Sequence, residues 1–156
     1  KSFGINKTIG DLAGPMAFAI LMGSSRAFYG KFGDRINLER FMQYSAVLCM
    51  VSYLMIAFIP VPALGILGCA VCGLSVGIMW PGTFSMAAAS VKRGGTALFA
   101  LLALAGDVGC SSGPTYVGMI SSALNDNLKL GIFAALIFPI LMMIGIKLIM
   151  GLRKNA

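Results

Sequence analysis

The chain has 156 residues, 58% of them hydrophobic and only 11% charged, with a mean hydropathy of +0.91. A water-soluble domain carries about 25% charged residues, so a soluble protein is excluded and a membrane-embedded one is expected. The net charge of +7 does not point to nucleic acid, because the basic residues gather at the ends of apolar runs, where membrane topology puts them.

Five stretches reach the roughly 20 predominantly apolar residues that a helical bilayer crossing needs. They are residues 9–32, 41–60, 62–91, 96–124 and 130–151. All are too long for strands and none alternates, so the expected fold class is an all-α membrane protein with five transmembrane helices. The connections are short, at Val61-Pro62, residues 92–95 and residues 125–129, which makes successive helices antiparallel neighbours with no inserted soluble domain.

The first run ends near Arg26 and leads into a charged turn that holds Lys31, Asp34, Arg35, Glu39 and Arg40. Lys and Arg counted by side give nine with this turn and three on the opposite side. That bias makes the turn cytoplasmic, the N-terminus external and the C-terminus cytoplasmic. The chain starts Lys1-Ser2-Phe3, without an initiator Met or a signal pattern. With an odd number of spans and an external N-terminus, it is expected to be part of a longer protein.

The second and fifth runs are richest in Leu, Ile, Met and Phe and are expected to face lipid. The third and fourth are rich in glycine, including Gly73-x-x-x-Gly77 and Gly109-x-x-x-Gly113. Small residues at this spacing let membrane helices approach closely, so these two are expected to be the buried, working helices.

The fourth run carries Asp107, 11 residues past Thr96 and so roughly 16 Å into the bilayer at helical rise. An Asp at that depth costs about 2.5–3.5 kcal/mol on insertion scales, and it must face the protein interior or a water-filled cavity. Ser111 and Thr115 extend the same face at helical spacing. Pro114 leaves the Cys110 carbonyl without its helical donor. Asp107 is expected to contact substrate or carry the coupling proton, or else to bond neighbouring helices as structural glue. Trp80 in the third run mirrors Asp107 across the 92–95 turn. With Pro81 beside it as a helix kink, Trp80 and Thr83 are expected to line a cavity, with ordinary packing as the alternative for Trp80. Arg26 is expected to snorkel to the cytoplasmic surface.

The four cysteines include Cys69-x-x-Cys72, but this pair lies in an apolar run without a second pair or flanking charge, and reads as packing rather than a metal or redox site. With no His and no second carboxylate at a membrane centre, there is no nucleophile with its base. An enzyme is not expected, nor is a metal or any other cofactor.

The turn itself, Gly30-x-x-x-Asp34-Arg35 followed by Arg40, resembles the loop signature of the major facilitator superfamily. Gly30, Asp34, Arg35 and Arg40 match, while Asn37 stands where a Gly is usual and Glu39 where a basic residue is usual. A degraded copy followed by four more spans looks like the second occurrence of that signature, which would make this chain helices eight to twelve. Residues 78–89 and 102–114 are similar to bacterial sugar-permease-like members. The resemblance implies a secondary transporter of the bacterial cytoplasmic membrane that works by alternating access. Its substrate would be a small molecule held between this bundle and the N-terminal half of the same protein. It also implies that Asp34 caps a helix start and pairs with basic groups, so that Gly30, Asp34, Arg35 and Arg40 form a cytoplasmic gate. The competing expectation is a membrane scaffold or receptor subunit that transports nothing and uses its glycine-rich helices to bind partner helices.

Overall fold

The computed structural model describes residues 7–59, 61–91 and 94–155. Among them there is no strand. The chain forms α1 (Lys7–Phe32), a 3-10 turn (Gly33–Arg35), α2 (Leu38–Phe58), α3 (Pro62–Val76), α4 (Met79–Ser90), α5 (Gly95–Ala123), α6 (Leu128–Ala134) and α7 (Ile137–Asn155). Four segments are long and apolar enough to cross a membrane: Leu38–Phe58, Ala63–Ser90, Gly95–Ala123 and Leu128–Gly151. The architecture is therefore all-helical and compatible with a multi-pass membrane protein. α1 is not among the four. Its C-terminal third carries Ser24, Ser25, Arg26 and Lys31, which dilute an otherwise apolar helix.

Two of the expected continuous helices are broken, and each break precedes a proline. The third run divides into α3 and α4 at Gly77–Ile78, with Pro81 as the third residue of α4. The fifth divides into α6 and α7 at Ala135–Leu136, with Pro139 as the third residue of α7. A proline has no N–H for the carbonyl four residues earlier. At the second break the Ala135 carbonyl is taken up locally, accepting from Phe138 N at 3.1 Å. Pro114 behaves differently, since α5 is helical straight through it.

Packing corrects the expected division of labour among the helices. α2, expected to face lipid, is the hub: it packs on α3 and α4 to one side and on α6 and α7 to the other. The reason is a stripe of small and medium side chains, Ser45, Ala46, Cys49 and Ser52, which with Met42 are buried at helical spacing. The leucines and valines that suggested lipid contact occupy the other faces, with Val47, Val51 and Leu54 exposed. α5, expected to be buried, packs chiefly against α6, with lesser contact to α4 and a Tyr116–Phe138 ring contact to α7.

α3 lies between α1 and α2, and glycines set the spacing. A Cβ at Gly73 would run into the Phe18 backbone, and one at Gly77 would lie 2.8 Å from the Met22 carbonyl oxygen. The contacts recur every four residues along both helices in the same direction, so α1 and α3 run parallel with their backbones nearly touching. The turn between α5 and α6 is closed by Asn125 and Asp126, both with φ at +57°, a left-handed conformation that these two residue types tolerate.

The turn that follows α1 is organised by aromatics and an amide. The Tyr29 ring stacks on Phe41 at 5.9 Å across the turn and lies against Gly33, where a Cβ would meet it at 3.2 Å. The N-cap of α2 is Asn37, whose side chain accepts from Arg40 N at 3.2 Å. Asn37 adjoins Leu38 at the start of α2 and so reaches the free N–H groups of the first turn. Asp34 was expected to cap a helix start. The Asp34 side chain lies outside the described residues. Gly30 faces open space, with nothing within 4 Å of an added Cβ, and Arg35 and Arg40 are exposed.

Candidate functional site

The polar stripe of α5 is present, and it faces outward. Asp107, Ser111, Ser112 and Thr115 line a shallow depression on the open side of the helix, together with Val108. All four polar residues are exposed. Asp107 was expected to face the protein interior or a water-filled cavity; among the described residues no element covers it.

Within the stripe the hydroxyls are occupied. Ser111 Oγ donates to the Asp107 carbonyl at 3.0 Å, and Thr115 Oγ1 donates to the Ser111 carbonyl at 2.8 Å. Such back-bonding is how Ser and Thr satisfy themselves in an apolar helix. It leaves their oxygen lone pairs, and the Asp107 carboxylate, as the groups presented outward. The stripe therefore offers acceptors and a negative charge, which suits a proton, a cation or the hydroxyl groups of a polyol.

Trp80 adjoins this face. Its ring lies directly over the Gly106 backbone, and any side chain at 106 would occupy the space the ring fills. That contact puts the indole one residue from Asp107, at the depth their sequence positions implied. From there aromatic packing continues along α4 to Phe84, at 4.8 Å, and across to Phe99 on α5, at 5.8 Å. Trp80 is 46% exposed, so half of the ring remains available as a stacking surface.

Thr83 belongs elsewhere. Its hydroxyl donates to the Met79 carbonyl at 2.7 Å, and it faces a separate cavity of about 430 Å³ walled by Met42, Met86, Met142 and Ile146. The structure thus gathers Asp107, Ser111 and Thr115, sets Trp80 against the adjoining Gly106, and separates Thr83 from them.

Arg26, expected to snorkel, has a partner that the sequence reading did not name. Arg26 Nε donates to the Gly77 carbonyl at 3.0 Å, the carbonyl that Pro81 deprives of its helical partner. A signal was available, since a proline four residues after Gly77 frees that carbonyl and a cation sits in the polar third of the preceding span. Ser112 was missed because it is one position off the helical repeat that linked Asp107, Ser111 and Thr115.

No family model, curated protein or solved structure matches this chain. The likeness to the major facilitator superfamily rests on the residues of the turn and the order of the helices.

Proposed function

We propose that the chain is part of a secondary active transporter that moves a small solute across the cytoplasmic membrane of a bacterium by alternating access. One observation carries this reading: a carboxylate and three hydroxyl-bearing residues share the uncovered face of a long apolar helix, with a half-exposed indole packed on the adjoining Gly106. An ionised Asp far from the ends of a spanning helix is stable only against water or another protein surface. A second helical bundle facing α5 across an intermittently wet cavity supplies both. Transporters of this general design bind their solute between two bundles, near the bilayer midplane.

In this reading α1 is a fifth span, held in place by its seam with α3, and the N-terminus is external. Asp107 couples transport to a proton or contacts the solute, Trp80 stacks on it, and Ser111 and Thr115 contribute acceptors. Gly30, Asp34, Arg35 and Arg40 act at the cytoplasmic end as a contact that opens once per cycle.

Uptake of small sugars and metabolites into proteoliposomes that contain the native protein, with and without a pH gradient, tests the proposal. Gradient-driven uptake is expected to be lost in Asp107→Asn while solute exchange is retained. Unchanged gradient-driven uptake would reduce Asp107 to interhelical glue. A second reading, a scaffold that transports nothing, is favoured by Gly109 and Gly113, where an added Cβ would meet nothing within 4 Å, so that a partner helix could approach α5 closely. It predicts no uptake of any solute and stable co-purification with another membrane protein.

A further inference from the structure

We propose that Cys49 and Cys72 form an oxidisable dithiol, which a lipid-permeant oxidant converts to a disulfide joining α2 to α3. The inference is independent of the transport reading.

The pair sits in a symmetric arrangement that a search for Cys-x-x-Cys does not reveal. α2 carries Cys49-x-x-Ser52 and α3 carries Cys72-x-x-Ser75. Each serine hydroxyl donates to the carbonyl of its own cysteine, at 2.8 Å for Ser52 and 2.7 Å for Ser75. Each serine also reaches the thiol of the opposite helix, Ser75 to Cys49 and Ser52 to Cys72, and the two thiols are within hydrogen-bonding reach of each other. The four side chains are at most 8% exposed. The two helices are fixed in register around them, because a Cβ at Gly68 of α3 would lie 2.7 Å from the Ile56 side chain of α2. The other cysteines are placed differently: the Cys69 sulfur faces α1 near Gly14, and Cys110 is exposed on α5.

Buried cysteines are ordinarily inert because reagents cannot reach them. Here Tyr53 provides a passage. Its side chain is hydrogen-bonded to Cys49, and it forms part of the wall of a cleft of about 480 Å³ with Pro114, Val117, Ala135 and Phe138. An apolar oxidant that partitions into the bilayer needs only to displace the Tyr53 ring to meet the Cys49 sulfur.

The reaction consumes two thiols. Two S–H bonds break and one S–S bond forms, and the oxidant accepts two electrons and two protons. An organic hydroperoxide is cleaved at its O–O bond to an alcohol and water, and a diazenedicarboxamide is reduced to the hydrazine. The product ties α3 to α2 and leaves α4 untied beyond the Gly77–Ile78 break.

The test uses membranes that contain the Cys69→Ala/Cys110→Ala protein, treated with diazenedicarboxamide or tert-butyl hydroperoxide, then quenched, denatured and labelled with a maleimide-polyethylene glycol. The expected change is from two adducts to none, reversed by dithiothreitol. Adding Cys49→Ala is expected to leave one adduct before and after oxidation. Peptide mass spectrometry of the oxidised wild type, which needs no variant, is expected to show the Cys49–Cys72 linkage. Retention of both adducts at an oxidant concentration that links wild-type chains through Cys110 would overturn the proposal. So would a loss of adducts that reductant does not restore.

Discussion

Gly73-x-x-x-Gly77 and Gly109-x-x-x-Gly113 are the same motif in neighbouring spans, yet their surroundings differ completely. At the first, α1 is so close that a methyl group would meet its backbone. At the second, nothing lies within 4 Å. One motif is filled within this chain; at the other an added Cβ meets nothing, and Gly113 lines the cleft beside Tyr53 and Phe138, away from the Asp107 stripe. Small residues at helical spacing therefore mark where a helix can be approached, not where it has been. In this molecule the seam of α1 with α3 is built to hold, and the outer face of α5 is built to receive.

The largest expected effect breaks the filled motif. Gly73→Val should cost several kcal/mol, beyond the about 1–3 kcal/mol typical of overpacking, because its obstacle is the Phe18 backbone and not a movable side chain. Gly109→Val should change stability by less than about 0.5 kcal/mol, as for a surface site. Chemical unfolding in detergent, followed by helical circular dichroism, measures both. Equal losses at the two sites would dissolve the contrast.

Next comes the bond that ties α1 to the break in the third span. Arg26→Met leaves the Gly77 carbonyl unpaired and should cost about 1–3 kcal/mol. Pro81→Ala restores an N–H four residues after Gly77, so the double variant should lose less than Arg26→Met alone in the same unfolding assay. Strict additivity would mean that the guanidinium and the missing N–H are unrelated.

The smallest effect lies in the turn. Asn37→Ala removes the cap of α2 and should cost about 1 kcal/mol, while Asn37→Asp should keep most of it. A loss of equal size in both would show that the Asn37 amide acts through something other than its acceptor oxygen.

The helices were legible in the sequence because apolar length is a one-dimensional property. The described residues are all-helical, with four segments long and apolar enough to cross a membrane, and the packing of Trp80 beside the Asp107 region followed from counting along two spans from a shared turn. Burial was not legible. A run such as that of α2 can turn a narrow stripe of Ser45, Ala46, Cys49 and Ser52 toward its neighbours and still have a lipid-like composition. The break at Pro139 was missed because a proline flanked by Phe138 and Ile140 does not interrupt an apolar run. The insertion cost of Asp107 dictates that the charge must be sheltered, by protein or by water, without saying which surface shelters it.

Trp80 is the only tryptophan in the chain, and its ring rests on Gly106. The molecule thus carries a single indole, excitable apart from its four tyrosines, packed on the residue beside Asp107. Its emission reports the polarity there without added dye. When that surface is dry the spectrum should lie to the blue, and when water reaches it, to the red. The wavelength of that band follows hydration beside a carboxylate that the described residues leave uncovered.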